Sequence, residues 1–104
     1  MELEDRKNLA ALLRRAAAQT IPEKDFWAAF KALSERVKEP VVDLAFESAG
    51  HYWGNFHGRS IFFLIPLQPN RGQLIQGRNE LNLIAEALEG GWELPLLKAK
   101  LKDV

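Results

Sequence analysis

The chain has no cysteine in its 104 residues. That excludes disulfide stapling, thiolate catalysis and cysteine-ligated metal together. It has no surplus of either charge: fourteen basic residues balance fourteen acidic ones. A protein that coats nucleic acid normally carries a basic excess or a basic face, so nucleic acid is not the expected partner. Long apolar runs are missing too. The longest, residues 61–67, is interrupted by Pro66 and is far too short to span a bilayer, so no membrane partner is expected. Residues 1–7 are charged and lack the apolar stretch of a signal peptide. The expected compartment is the cytoplasm.

Catalytic material is equally scarce. The hydroxyl residues are Thr20, Ser34, Ser48 and Ser60. His57 stands three residues before Ser60, but no Gly-x-Ser-x-Gly elbow frames the pair. The glycines form no phosphate-cradling loop between a strand and a helix. Asp43 and Glu47 are the available carboxylate pair for glycoside chemistry, yet their spacing puts them on an outer helix face rather than in a cleft. No catalytic residue, resident metal or cofactor is assigned on these grounds.

What the chain does have is core material. With 47% hydrophobic residues it has enough to fold as one domain over 1–104. The pattern is helical. Leu9, Leu12, Leu13 and Ala16 form one apolar stripe over residues 3–18, with Arg6, Lys7, Arg14 and Arg15 largely off it. Thr20 and Glu23 read as a capping box for a second helix, with Pro22 in its first turn. Phe26, Phe30, Leu33 and Val37 then recur at helical spacing, widened by Trp27, until Pro40 ends the run near Lys38. Pro40 opens a third helix to about Trp53, with Val42, Phe46, Ala49 and Trp53 as its apolar edge. Phe26, Phe30, Leu33 and Phe46 are the predicted heart of the core.

Residues 54–79 are punctuated by Gly54, Gly58, Pro66, Pro69, Gly72 and Gly77. They read as an irregular crossover, most mobile around residues 70–77. A small hairpin pairing residues 61–65 with 73–76 is the alternative. Asn79 then caps a last clear helix whose Leu81, Ile84, Ala85 and Leu88 face inward and which Gly90-Gly91 ends. Trp92 and Leu94 fold back on the core. Residues 95–102 add a short amphipathic turn, Leu97 and Leu101 inward, Lys98 and Lys102 outward. The predicted fold is all-α, a compact bundle of about four helices.

The segment between Phe46 and Phe63 holds six of the ten aromatic residues and both histidines. Beside it, Glu39, Asp43, Glu47 and His51 recur every four residues, and no lysine or arginine occurs from 39 to 58. As a functional face this edge, with Tyr52, Trp53 and Phe56 next to it, suits a basic protein partner. As plain surface it is a solvated helix edge whose first carboxylates suit the helix dipole. Glu47 and His51 also have a metal-binding spacing, with His57 or Asp43 to complete a metal site, and Glu47, His51 and His57 are the residues for a small metal-dependent or acid/base enzyme. A third reading buries the aromatic segment in a homodimer.

The order of elements carries a resemblance at the level of layout. A short helix precedes Ile21-Pro-Glu-Lys-Asp-Phe26. Then come Leu44-Ala-Phe-Glu-Ser-Ala-Gly-His-Tyr-Trp53, a loop and the final Asn79-Glu-Leu-Asn-Leu-Ile84 helix. This layout resembles the small helical bacterial immunity proteins of the colicin-D-inhibitor type, over about residues 9–90. Residues 61–77 depart from that layout and look like an insertion. The resemblance implies a non-enzymatic inhibitor that binds a toxin nuclease through acidic residues, here Asp43 and Glu47.

Overall fold

The computed structural model describes residues 2–57 and 71–104. Five helices occur among them: α1 (Leu3–Ala17), α2 (Glu23–Arg36), α3 (Pro40–Phe56), α4 (Arg71–Gly90) and α5 (Leu94–Leu101). No strand occurs among the described residues. The all-helical bundle is as the sequence predicts, with one helix more than about four, because residues 94–101 make two turns.

α1 is the central element. Its Leu9, Ala10, Leu13 and Ala16 are completely buried, and it packs most extensively on α4. α4 answers with Leu81, Ile84, Ala85 and Leu88, all completely buried, and also carries α3. α2 lies against α1, and α5 closes on α4 through Leu97. The alanines among these residues keep the helices close, because interaxial distance depends on the side chains at the contact. Trp92, Leu94 and Leu101 pack partly buried against the core, and Lys98 and Lys102 are exposed.

The helix ends explain the sharp corners. Gln19 takes φ 58°, and the Gln19 and Thr20 amides donate to the carbonyls of Ala16 and Arg15. That is the Schellman arrangement, with glutamine where glycine is usual. Gly91 at φ 69° does the same for α4, the Trp92 amide donating to the Ala87 carbonyl at 2.9 Å. Arg6 Nε adds a 3.0 Å bond to the Leu88 carbonyl, satisfying another open acceptor at that end.

Three expectations are corrected here. Thr20 and Glu23 do not form a capping box. Pro22 is the N-cap of α2, and Thr20 Oγ1 turns back to the Arg15 carbonyl at 3.2 Å. The Schellman turn places Thr20 at the end of α1, one loop too early to cap α2. The second correction concerns α4, which starts at Arg71 rather than Asn79. Residues 73–76 are therefore helical and cannot be a hairpin strand, and residues 71–77 are not an irregular crossover. Gly77 is a packing notch: a Cβ there would stand 3.1 Å from Tyr52 Cδ1. The expectations for residues 61–65 lie outside the described residues. The third correction is Phe46, which is 57% exposed rather than central. The buried face of α3 is Val42, Ala45, Ser48, Ala49, Tyr52 and Trp53. The wall of α4 takes alanine at 45 and 49, and this phase turns Phe46 about 100° off the core.

Candidate functional site

α3 begins because Glu39 is extended, as a residue before proline must be, and Pro40 supplies a pre-set first turn. With its buried face fixed by Val42, Ala45, Ala49 and Tyr52, the opposite face is determined by the 3.6-residue repeat. It presents Asp43, Phe46, Glu47, Gly50 and His51, all exposed. Glu39 stands at its start, half-buried beside a small cleft that includes Arg6, Val41, Trp92 and Leu94. Asp43 and Glu47 are one turn apart, and neither carboxylate has an ion-pair or hydrogen-bond partner among the described residues. Lys38 is the basic residue nearest in sequence. It lines, with Ser34, Val37 and Glu39, an open groove of about 470 Å³ that ends at Asp43.

Phe46 is exposed but not loose. Its ring centroid lies 5.5 Å from that of Trp27 and 6.0 Å from that of Phe30. Trp27 is fixed in turn by a 2.8 Å hydrogen bond from its Nε1 to Glu23. Phe26 and Phe30 continue the ring cluster inward, and Phe26 meets Trp53 at 5.9 Å. The outer face of α3 thus carries an aromatic ring propped from behind by α2 and flanked by carboxylates.

Tyr52, Trp53 and Phe56 do not share this face, and His51 lies at its edge toward α4. Tyr52 and Trp53 are buried, at 4% and 1% exposure, so they belong to the core. The helical phase that exposes Phe46 is what buries Tyr52, and Trp53 is buried beside it. Tyr52 seats against Gly77, and its hydroxyl accepts a 2.7 Å bond from Gln19 Nε2, tying α3 to α1. Phe56 is 39% exposed and stacks on Tyr52 at the far end of α3. His51 lines a polar groove between α3 and α4 with Asn55, Gln73, Gln76 and Glu80.

Glu47, His51 and His57 are not brought together. His57 caps the C-terminal end of α3, lies over the Trp53 ring at 5.8 Å, and places Nε2 3.1 Å from a Glu23 carboxylate oxygen on α2. That contact helps hold the end of α3 to the start of α2. His57 is six positions after His51, which sets them about 120° apart around the helix. Among the described residues no group of three or more His, Asp or Glu is disposed to hold a metal ion. Thr20 and Ser34 donate to backbone carbonyls and Ser48 is buried. Ser60 lies outside the described residues.

Among the described residues, a clear electrostatic perturbation lies at the pair Arg14 and Glu89, away from this face. Arg14 on α1 forks onto Glu89 on α4, its Nε 3.2 Å from one carboxylate oxygen and 3.3 Å from the other. The hydrogen bond holds the Glu89 carboxyl below its ordinary range and raises the Arg14 guanidinium. This pair locks α1 to α4 and is distant in sequence from α3. Among the described residues no helix is long and apolar enough to cross a membrane. Phe46 is the residue that sequence reasoning missed at the surface. The signal was present in Ala45 and Ala49, which form an equally regular stripe with Val42 and Tyr52. Comparison of the chain with known protein families, characterised proteins and solved structures finds no match.

Proposed function

We propose that this is a non-enzymatic intracellular protein-binding module that captures a cationic partner through the outer edge of α3. The observation that carries the reading is the pair Asp43 and Glu47. They stand one turn apart, exposed and unneutralised within the described chain, on a helix with no lysine or arginine. Two like charges at this spacing cost the free helix a few tenths of a kcal/mol, roughly, and an approaching cation relieves that repulsion. The same cluster steers the encounter and makes it sensitive to salt. The layout-level resemblance to immunity proteins makes a toxin nuclease the first class of partner to try.

The test compares the wild-type chain with the Asp43→Lys/Glu47→Lys variant as immobilised baits at moderate salt. Circular dichroism should show unchanged folding, since both positions are exposed. A basic protein should be retained by the wild type alone, and its measured affinity should fall steeply with ionic strength. Retention of the same partner with equal affinity by the charge-reversed chain would refute the reading.

A further inference from the structure

We infer that the outer face of α3 is a helix-docking surface, which receives a cationic helix of the partner against Phe46 and a bare shelf at Gly50 and Gly54. The inference rests on the preceding reading and says what form the partner's contact takes. Three independent features coincide on this face.

The first is the propped ring of Phe46. An exposed aromatic held in place by Trp27 and Phe30 is already ordered before binding, so it loses little entropy on contact. The second is the glycine pair. Gly50 and Gly54 lie one turn apart, continuing the row from Asp43 and Phe46. A Cβ added at either would meet nothing within 4 Å, whereas at Gly77 and Gly90 it would meet Tyr52 at 3.1 Å and Trp92 at 3.0 Å. Glycine inside a helix is less stable than alanine, and at 50 and 54 no described neighbour requires it. Gly50 is exposed and Gly54 half-buried, and backbone without side chains at that spacing allows a second backbone to approach closely. Side chains four residues apart normally form a ridge, and glycine at both positions leaves a gap into which the ridge of another helix fits. The third feature is charge. Asp43 and Glu47, both exposed, give this face one sign, which selects a cationic helix. Arginine suits it better than lysine, because a guanidinium stacks on a ring such as Phe46 while its fork reaches a neighbouring carboxylate.

The experiment titrates the full chain with two synthetic peptides at low salt. One is an amphipathic arginine-bearing helix about five turns long with an alanine-leucine stripe. The other has the same charge but two central prolines that prevent helix formation. The helical peptide should bind on the order of tenfold more tightly, a difference of about 1.4 kcal/mol. The Gly50→Ala/Gly54→Ala chain should melt at a higher temperature, yet lose on the order of tenfold in affinity for the helical peptide alone. Equal binding of both peptides, abolished by Asp43→Asn/Glu47→Gln, overturns the helix-docking surface and leaves the acidic-edge reading standing. Absence of binding by either peptide overturns both. A lowered melting temperature in the alanine variant shows that the glycines serve the chain's own packing and overturns the inference. So does a self-dimer, seen by sedimentation, that the alanine variant dissolves, because its occupant is then a second copy.

Discussion

Phe30 and Phe46 are neighbours in space with opposite burial, and truncating each to alanine should separate core from surface. Phe30 is 3% exposed and touches the Phe26, Trp27 and Phe46 rings at 5.9, 5.7 and 6.0 Å. Its removal opens a cavity under an aromatic cluster that α1 and α3 cannot easily close, so the cost should be about 3–5 kcal/mol. Phe46 is 57% exposed, so a little under half of its ring is covered. Full burial of a phenylalanine is worth about 1.5–3 kcal/mol, which puts the lost burial near 1 kcal/mol. Alanine's better helix propensity offsets about 0.5 kcal/mol of that. The net cost of Phe46→Ala should therefore be under about 1 kcal/mol, and the two variants should differ by about 2 kcal/mol or more. Urea titration followed by tryptophan fluorescence and by helical circular dichroism reads both numbers, provided the slope m is unchanged. If the two variants fall within about 1 kcal/mol of each other, the phase of α3 described above is wrong.

Further tests follow from the same contacts. Tyr52→Phe removes the acceptor of the 2.7 Å Gln19 bond and should cost about 0.5–1.5 kcal/mol in chemical denaturation, a neutral result showing the bond to be dispensable. Gly91→Ala should cost about 1–2 kcal/mol because position 91 is left-handed at φ 69°. In contrast, Gly50→Ala should gain about 0.5–1 kcal/mol, since a Cβ there meets open space. Gly77→Ala should fall short of that gain, because its Cβ presses on Tyr52. The Arg14–Glu89 pair has a sign fixed by linkage: the folded Glu89 carboxyl titrates below its unfolded value. Its stabilisation is present above the unfolded value and is lost as pH falls through the lowered one. The dependence of stability on acid in that window should shrink in Glu89→Gln, and because both groups are largely exposed the effect should be small and weakened by salt.

Much of this arrangement is written in local pattern. The stripe Leu9, Leu12, Leu13 and Ala16, the run Phe26, Phe30, Leu33 and Val37, and the inward set Leu81, Ile84, Ala85 and Leu88 are all buried. Each recurs at helical spacing, so one sequence suffices to place them. The start of α4 is not legible in this way. Gly72 and Gly77 carry a propensity penalty in any single-sequence reading, and the fit of Gly77 against Tyr52 is a relation between helices more than twenty residues apart. The role of Thr20 fails for a similar reason. Its hydroxyl has two helix ends within reach, and the left-handed turn at Gln19 decides between them.

The phase of α3 is where local pattern and tertiary packing part company, and the candidate site depends on it. Val42, Phe46, Ala49 and Trp53 form a regular helical stripe, and so do Val42, Ala45, Ala49 and Tyr52. Hydrophobicity alone favours the first, because a phenylalanine outweighs an alanine. Packing favours the second, because α3 lies on α4 with Ala45 and Ala49 at zero exposure and a notch at Gly77 receives Tyr52. A bulky ring at the contact line would push the helices apart, and the completely buried Leu81, Ile84 and Leu88 of the adjoining helix would lose contacts with it. The rotation that satisfies α4 therefore leaves Phe46 outside, with Asp43, Glu47 and the two open glycines on its side of the helix. An aromatic ring displaced from the core by close packing, and then braced from behind by Trp27, is a feature the fold keeps at the cost of exposed apolar area. Tyr52 is withdrawn from the surface by the same rotation, and Trp53 stays inside in either phase, so the acidic edge and the aromatic contact meet at Phe46 rather than farther along the helix.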